Sequence, residues 1–309
     1  MGLLLHAGSG RLITLVVRSL VGRAPSCTVT LDDRRASSEH AVIAWTGAGW
    51  EVRDLGSLNG TWVGGQRLEA GQRVALARDV RLGFGVNDDA WILVDERGAG
   101  PAARNPTTGE LVHAAAGLLA LPTMADPRAT IFPGNDGAWF VDTGGALDAI
   151  ASGQTLVIDG TSWTILLPAS LDPVPGTLQA TGSPPSIAGL RLTFSVSSDE
   201  EHVDIGMGAA EGPETPLPPR SSHYLVLTLA RARLADAERG VAGAEQGWLY
   251  SSDLADMLGY TAERLNVEIF RARALLAKLG VPDAGQLIER RVSSRQLRIG
   301  VSRLHVIRT

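Results

Sequence analysis

Cysteine is nearly absent from this chain, and its hydrophobic runs are short. The 309 residues include one cysteine, Cys27, which excludes an intramolecular disulfide and indicates a reducing compartment. Residues 12–17 read as a short strand, and no apolar run approaches the roughly 18 residues that a membrane-spanning helix needs. We therefore expect a cytoplasmic protein with no membrane partner.

Sequence motifs of catalysis and metal binding are also missing. The chain contains no Gly-x-x-x-x-Gly-Lys loop, no His-Glu-x-x-His or Cys-x-x-Cys pair, and no Gly-x-Ser-x-Gly nucleophile elbow. Its six histidines are scattered among unrelated segments. We expect neither an enzyme nor a bound cofactor or metal.

The net charge of −5 hides an uneven distribution of charge. Residues 1–97 carry 11 basic and 11 acidic side chains, residues 98–219 carry 3 and 13, and residues 220–309 carry 14 and 9. A basic C-terminal segment is compatible with nucleic-acid binding and equally with an ordinary solvated surface.

Short strands separated by turn signals fill residues 1–97. Strand patterns occupy residues 12–17, 41–45, 50–53, 61–63 and 91–94, and glycine or Asn-Gly turns separate them. Many short strands at this spacing predict an all-β sandwich.

Three motifs with phosphate-binding chemistry occur in order in this segment. They are Gly-Arg at 22–23, Ser-Ser-Glu-His at 37–40, and Asp-Leu-Gly-Ser-Leu-Asn-Gly-Thr at 54–61. A phosphate is bound well by a planar, permanently charged guanidinium together with short hydroxyl and amide donors. The combination and its spacing resemble the forkhead-associated (FHA) family, whose members bind phosphothreonine peptides.

The resemblance assigns a role to each motif. It implies that Arg23 and Ser37 bind the phosphate and that Ser38 assists them. It implies that Asn59 holds the backbone of the bound peptide and that His40 braces the recognition loops.

One position departs from the family pattern. Family members often have Ser or Thr before the asparagine, where this chain has Leu58. The change removes a possible hydrogen bond to a charged group, worth roughly 1.5–3 kcal/mol. Two interpretations stay open: weaker binding, or selection of the peptide by Leu58.

The middle of the chain is less informative. Residues 98–110 read as a polar linker, residues 111–168 as a small β unit, and residues 169–188 as an exposed linker rich in Pro, Ser, Gly and Thr. Tryptophan and Gly-Gln patterns in 111–168 echo those of the first segment. The unit is therefore either a degenerate FHA-like half or a convergent strand–turn pattern.

Residues 189–309 change to a mixed pattern of helices and strands. Strand patterns at 190–196 and 202–205 precede a helix ending before Gly240, a short helix at 253–258, a long helix at 262–279, and a hairpin of 287–291 with 296–299. This order resembles the winged-helix DNA-binding domain of OmpR-type response regulators. The expected fold class is thus multidomain, with an N-terminal all-β sandwich, a small β middle region and a C-terminal α+β winged helix.

That second resemblance implies a DNA contact set on the long helix and on the wing. Helical periodicity places Phe270 and Val267 outward together with several cations. The expected DNA-binding residues, from the recognition helix first and then the wing, are Arg264, Arg271, Arg273, Arg290, Arg291 and Arg295.

Two functions remain open at this point. The first is a phosphothreonine-responsive transcriptional regulator that reads a Ser/Thr kinase or its substrate through the FHA domain and binds double-stranded DNA through the winged helix. The second is a signalling adaptor, in which the C-terminal domain docks a protein through an apolar outward face on the long helix.

Overall fold

The computed structural model describes residues 2–46, 49–87, 91–98, 100–134, 137–167, 185–291 and 294–308. This part of the chain is rich in β-strands and contains three α-helices. It forms two compact units. The first holds the described residues of 1–104, 152–155 and 164–169, and the second holds those of 105–151, 156–163 and 170–309.

Two antiparallel-rich sheets make up most of the first unit. One has the strand order β2-β1-β11-β10-β7-β8 and the other β4-β3-β5-β6-β9. The strands are β1 (Gly2–His6), β2 (Leu12–Thr14), β3 (Arg18–Gly22), β4 (Val29–Thr30), β5 (Ala41–Trp45), β6 (Trp50–Asp54), β7 (Thr61–Val63), β8 (Gln66–Arg67), β9 (Arg73–Leu76), β10 (Arg81–Phe84) and β11 (Trp91–Glu96).

Alternating side chains from both sheets form one hydrophobic core, which is why this sequence folds as a sandwich. Val21, Ile43 and Val52 come from the second sheet, and Leu93 and Phe84 from the first. Period-two alternation sends every second residue of a strand to the same face, so short strands with alternating apolar residues are buried on one side only. The predicted β-sandwich is confirmed.

The next eight strands span the middle of the chain. They are β12 (Ala102–Arg104), β13 (Leu111–His113), β14 (Leu119–Pro122), β15 (Pro127–Pro133), β16 (Trp139–Asp142), β17 (Leu147–Ala149), β18 (Thr155–Ile158) and β19 (Thr161–Leu166). The sequence-based reading of 98–110 as linker is wrong for β12, because Ala102 and Ala103 are fully buried and pair with the end of β19. Strands β14 to β17 form an antiparallel meander in the second unit.

The remaining elements complete the second unit. They are β20 (Leu190–Val196), β21 (Val203–Ala209), β22 (Thr215–Pro216), α1 (His223–Glu238), β23 (Leu249–Tyr250), α2 (Ser251–Leu258), α3 (Ala262–Lys278), β24 (Ile288–Arg291), β25 (Gln296–Ile299) and β26 (Arg303–Arg308). One sheet has the order β22-β21-β20-β26, and a smaller one has the order β23-β25-β24.

Local sequence signals account for the ends of α2 and α3. Gly259 follows α2 with φ of 63°, a left-handed conformation that glycine adopts without a Cβ penalty. The Thr261 hydroxyl accepts a hydrogen bond from the Arg264 N–H and caps the start of α3. Helix α3 then ends at Lys278, before Gly280. The predicted helix over 262–279 is confirmed to within one residue.

The β14–β17 meander shares a hydrophobic core with the C-terminal helices. Phe132 of β15 belongs to the same buried cluster as Ile269 and Leu276 of α3 and Phe194 of β20. The structure therefore differs from the expected separate β unit over 111–168, since part of that segment is built into the C-terminal core.

The order of elements over 190–299 agrees with the predicted order of strands, three helices and a hairpin. The domain boundaries at 97, 111 and 189 remain predictions. Most of the expected linker 169–188 lies outside the described residues, as do residues 292 and 293 of the hairpin turn. Among the described helices, none is long and apolar enough to cross a membrane.

Candidate phosphopeptide site

His40 lies at the centre of the recognition loops and is fully buried. Its Nδ1 accepts a hydrogen bond from the Ser37 backbone N–H at 3.0 Å, and its Nε2 lies 3.1 Å from the Gly60 carbonyl oxygen. An Nδ1 acceptor requires the neutral ring with its proton on Nε2, which then donates to Gly60. Burial lowers the pKa of His40, in agreement with that neutral form. His40 thus joins the 37–40 loop to the 54–61 loop.

Asp54 organises the second loop from the end of β6. One carboxylate oxygen accepts hydrogen bonds from the backbone N–H groups of Gly56 and Ser57, at 2.7 and 2.9 Å. The other accepts the hydroxyl groups of Ser57 and Thr61, both at 2.6 Å. Burial alone would raise the pKa of Asp54, but these hydrogen bonds outweigh it and lower the pKa. An ionised carboxylate therefore fixes the loop that presents Asn59.

Arg23 follows β3 and is held by backbone contacts to the facing loop. Its backbone N–H donates to the Ser37 carbonyl at 3.0 Å, and its Nε donates to the Ala36 carbonyl at 2.8 Å. The side chain is exposed, and no carboxylate of the described residues forms an ion pair with it. One edge of the guanidinium is thus fixed by the protein, and its two terminal nitrogens remain to bind an anion.

Gly22 makes the close approach of the two loops possible. A Cβ at this position would lie 2.2 Å from the carbonyl oxygen of Ser38, a distance that real Cβ atoms essentially never show. The glycine before Arg23 is therefore required by the backbone, which explains why Gly-Arg is informative as a pair.

Ser37, Ser38 and Asn59 are placed beside Arg23 by the same loops. The Ser37 hydroxyl accepts a hydrogen bond from the Leu58 N–H at 3.1 Å, so its own proton is available to a ligand. Ser38 is exposed, and its carbonyl accepts the Ala24 N–H at 2.9 Å. The Asn59 amide donates to the Arg35 carbonyl at 2.8 Å. The structure brings the four predicted binding residues to one edge of the sandwich, where Arg23, Ser38 and Asn59 are exposed and Ser37 is half-buried.

Ser57 and Thr61 have structural roles in this site that the sequence did not reveal. Ser57 is bound to Asp54 and in turn accepts the Gly60 N–H at 3.0 Å, and Thr61 is fully buried against Asp54. Their spacing after Asp54 was visible in the sequence, but only the hydrogen bonds show that they brace the loop.

The predicted DNA-binding arginines are not brought together. Arg273 and Arg290 are 1% and 7% exposed, and both pair with Asp142 of β16, at 2.9 and 3.1 Å. Arg273 also lies over the Phe132 ring. Burial alone would raise the pKa of Asp142, but the two guanidinium groups outweigh it and lower the pKa. The expectation that these two arginines are exposed for DNA is wrong, because the β14–β17 meander covers them.

The other four arginines lie at the surface in different surroundings. Arg264 stacks on the Tyr260 ring, and Arg271 pairs with Glu268 at 2.8 Å. Arg291 is half-buried, stacks on the Trp248 ring and pairs with Glu245 at 2.8 Å, whereas Arg295 is exposed. Whether any of them contacts DNA remains a prediction.

Phe270 was expected to face outward and does not. It is 3% exposed and belongs to the core of the second unit. Val267 is half-buried, and Arg271 and Lys278 are exposed, as predicted. Among the described residues, no cluster of His, Cys, Asp and Glu could hold a metal ion.

Comparisons with known proteins agree with the geometry of the first unit. Residues 20–85 match the family model of the FHA domain. FhaB, an FHA domain-containing protein of Mycobacterium tuberculosis, is 41% identical over 64 residues, which are 21% of this chain and 41% of FhaB. The FhaB of Mycolicibacterium smegmatis is 39% identical with the same coverage.

A solved structure of Mycobacterium tuberculosis EmbR in complex with a low affinity phosphopeptide is 27% identical, with a TM-score of 0.29, and covers 32% of this chain and 25% of that chain. The chain spans less than half the length of the curated relatives it matches. Residues 20–85 are thus similar to FHA domains, which are phosphothreonine-binding signalling modules.

Proposed function

We propose that this protein docks onto phosphothreonine-containing partner proteins through Arg23, Ser37, Ser38 and Asn59, and so responds to Ser/Thr-kinase signalling. The observation that carries the proposal is the exposed Arg23 guanidinium, which is fixed along one edge at the Ala36 carbonyl and whose loop pairs by backbone hydrogen bonds with Ser37 and Ser38. Fixed donors around a single cation suit a dianionic phosphate, and charge-assisted hydrogen bonds are about twice as strong as neutral ones.

Titration of the full chain with a phosphothreonine peptide library and its unphosphorylated counterpart tests this function. We expect Arg23→Ala to abolish phosphate-dependent binding and Ser37→Ala to weaken it strongly. Arg73→Ala is the matched control, because Arg73 is an exposed arginine of the same sandwich that pairs with Glu51. Equal binding of phosphorylated and unphosphorylated peptides, or unchanged binding by Arg23→Ala, would refute the proposal.

For the C-terminal region we propose a protein-docking role, which makes the whole chain a signalling adaptor. Burial of Arg273 and Arg290 against Asp142 supports it, because two of the six expected DNA contacts are neutralised inside the protein. The exposed cations Arg264, Arg271 and Lys278 form a stripe along α3. Half-buried Val267 and Ala274 lie between them. A stripe with such mixed character can contact an acidic protein surface without insertion into a DNA groove.

A transcriptional regulator is the second candidate. Arg264, Arg271 and Lys278 are exposed at seven-residue intervals, so they lie on one face of α3 about 10.5 Å apart. Together with the observed order of helices and hairpin, this stripe supports a winged helix that contacts DNA.

Fluorescence anisotropy over a range of salt concentrations separates the two candidates. DNA binding through the stripe predicts a steep loss of affinity with salt, a slope reduced by about one in Arg271→Ala, and a selected DNA sequence. Arg303→Ala, a change at an exposed arginine of β26, is the control. A flat salt response without sequence selection favours the adaptor, for which Val267→Ala should weaken capture of the partner protein.

A further inference from the structure

Two buried guanidinium groups of the second unit share one carboxylate. Arg273 and Arg290 both pair with Asp142, and no other acid of the described residues forms an ion pair with either arginine. Arginine stays protonated in proteins, so this cluster keeps one unbalanced positive charge. Burial lowers the pKa of Arg273, an effect that Asp142 offsets only in part and to which the neighbouring Arg290 adds. Because buried charges are normally paired, the cluster calls for an anion that these residues do not supply.

Arg273 also lines a small cavity between β15 and α3, which we call the inner cavity. Its volume is about 10 Å³, enough for one water-sized group. The Arg273 Nε has no hydrogen-bond partner among the described residues. The Asn266 amide lines the same cavity and lies so close to Gly144 that a Cβ added there would be 2.1 Å from the amide nitrogen. An unpaired buried donor is costly, so the inner cavity suits one small acceptor atom.

A second, larger cavity adjoins the inner cavity, and we call it the outer cavity. Its volume is about 340 Å³, and it shares Arg128 and Asn266 with the inner cavity. Arg128 lies between the carboxylates of Asp126 and Asp159, at 3.3 and 3.6 Å. Asp159, in the β18–β19 turn, and Glu263, in the first turn of α3, both line the outer cavity. The outer cavity is therefore acidic, whereas the inner cavity is basic.

We propose that the two cavities bind a small zwitterion, a free amino acid. Its carboxylate places one oxygen in the inner cavity, where Arg273 and Asn266 donate to it and the unbalanced positive charge is neutralised. Its ammonium group lies in the outer cavity beside the carboxylates of Asp159 and Glu263. The acidic outer cavity repels phosphates and other multiply charged anions, and its volume is in the range of small-molecule sites.

Calorimetric titration of the full chain with each standard amino acid tests the proposal. We expect at least one of them to bind with a dissociation constant below about 1 mM. The carboxamide and the N-acetyl derivative of that amino acid should each bind about tenfold more weakly or worse, because each loses one charge-assisted interaction. These three ligands are compared on the unaltered protein, so the result does not depend on the folding of any variant.

Two variants then locate the site. Asn266→Ala should weaken binding of the amino acid about tenfold, because a donor to the carboxylate is lost. Asp159→Asn should weaken the amino acid by a similar factor and leave the affinity for its N-acetyl derivative unchanged. Asparagine tolerates the left-handed backbone of Asp159, whose φ is 47°. Asp148→Asn is the matched control, because it changes an exposed carboxylate of β17, and it should leave both affinities unchanged.

Three outcomes would overturn the proposal. The first is the absence of binding by every amino acid up to about 10 mM. The second is binding of acetate or of the N-acetyl derivative as tight as that of the amino acid, which would indicate a simple anion site. The third is amino-acid binding that neither Asn266→Ala nor Asp159→Asn weakens, which would place the ligand elsewhere on the chain.

Discussion

Replacing Asp142 by asparagine should destabilise the second unit far more than any surface substitution. The change leaves the buried guanidinium groups of Arg273 and Arg290 without their counter-ion, while side-chain volume stays nearly constant. Breaking a buried ion pair by removing one partner costs about 3–5 kcal/mol, because the remaining charge stays desolvated. Asp142 faces two such groups, so we expect a loss toward the upper part of that range.

Hydrogen exchange of the full chain, resolved by mass spectrometry of peptides from α3 and β16, measures this loss where it occurs. At about 1.4 kcal/mol per factor of ten, exchange through unfolding of the unit should accelerate by about two to three and a half orders of magnitude. Asp148→Asn is the control, because Asp148 is an exposed carboxylate on the adjacent strand β17. A loss below about 1 kcal/mol would refute the claim that this ion pair holds the meander against α3.

Three further predictions concern other parts of the chain. The free energy of unfolding of the FHA domain should fall as the pH drops from about 6.5 toward the lowered pKa of His40, because the unfolded state binds the proton first. This dependence of the unfolding free energy on pH should disappear in His40→Gln. Denaturant titration should show Gly22→Ala to be destabilised by more than about 2 kcal/mol, and Gly49→Ala, whose added Cβ meets nothing within 4 Å, to be much less affected. Phe270→Ala should lower the stability of the second unit by about 3–5 kcal/mol, because Phe270 is a core residue. A nearly neutral effect would contradict its buried position.

The recognition loops were predictable because their constraints are local. Gly22 is fixed by the approach of Ser38, and Asp54 binds groups within seven residues of itself. The interactions within each motif could therefore be read from its residues, whereas the contacts between the loops, such as that of Asn59 with the Arg35 carbonyl, join residues 13 to 24 positions apart.

Strand β21 is longer in the structure than the strand predicted from the sequence. The predicted strand ends at residue 205, yet the observed strand continues through Gly206 and Gly208 to Ala209. An added Cβ at Gly206 would lie 2.7 Å from the Glu214 side chain, and one at Gly208 would lie 2.8 Å from the Pro213 carbonyl. The glycines permit the close approach of the neighbouring segment, which propensity alone cannot reveal.

The surroundings of α3 could not be read from its own periodicity. Helical spacing orders the residues around the axis, but it does not say which faces other segments cover. Asp142 reaches Arg273 across 131 residues, and Phe132 packs against the same face. The burial of Arg273 by the meander therefore could not be predicted from the sequence of α3 alone, and neither could the burial of Phe270 in the core of the second unit.

The ion pairs of Asp142 with Arg273 and Arg290 also affect how the charge distribution along the chain is interpreted. Residues 220–309 carry 14 basic and 9 acidic side chains, which suggested a positive surface. Two of those basic residues are buried against Asp142, a carboxylate of the acidic middle segment. Net charge counted by sequence segment therefore overstates the positive surface of the C-terminal region, because part of it is neutralised inside the same compact unit. A DNA contact here would have to rely on surface cations such as Arg264, Arg271, Lys278 and Arg295, and not on the full set of arginines.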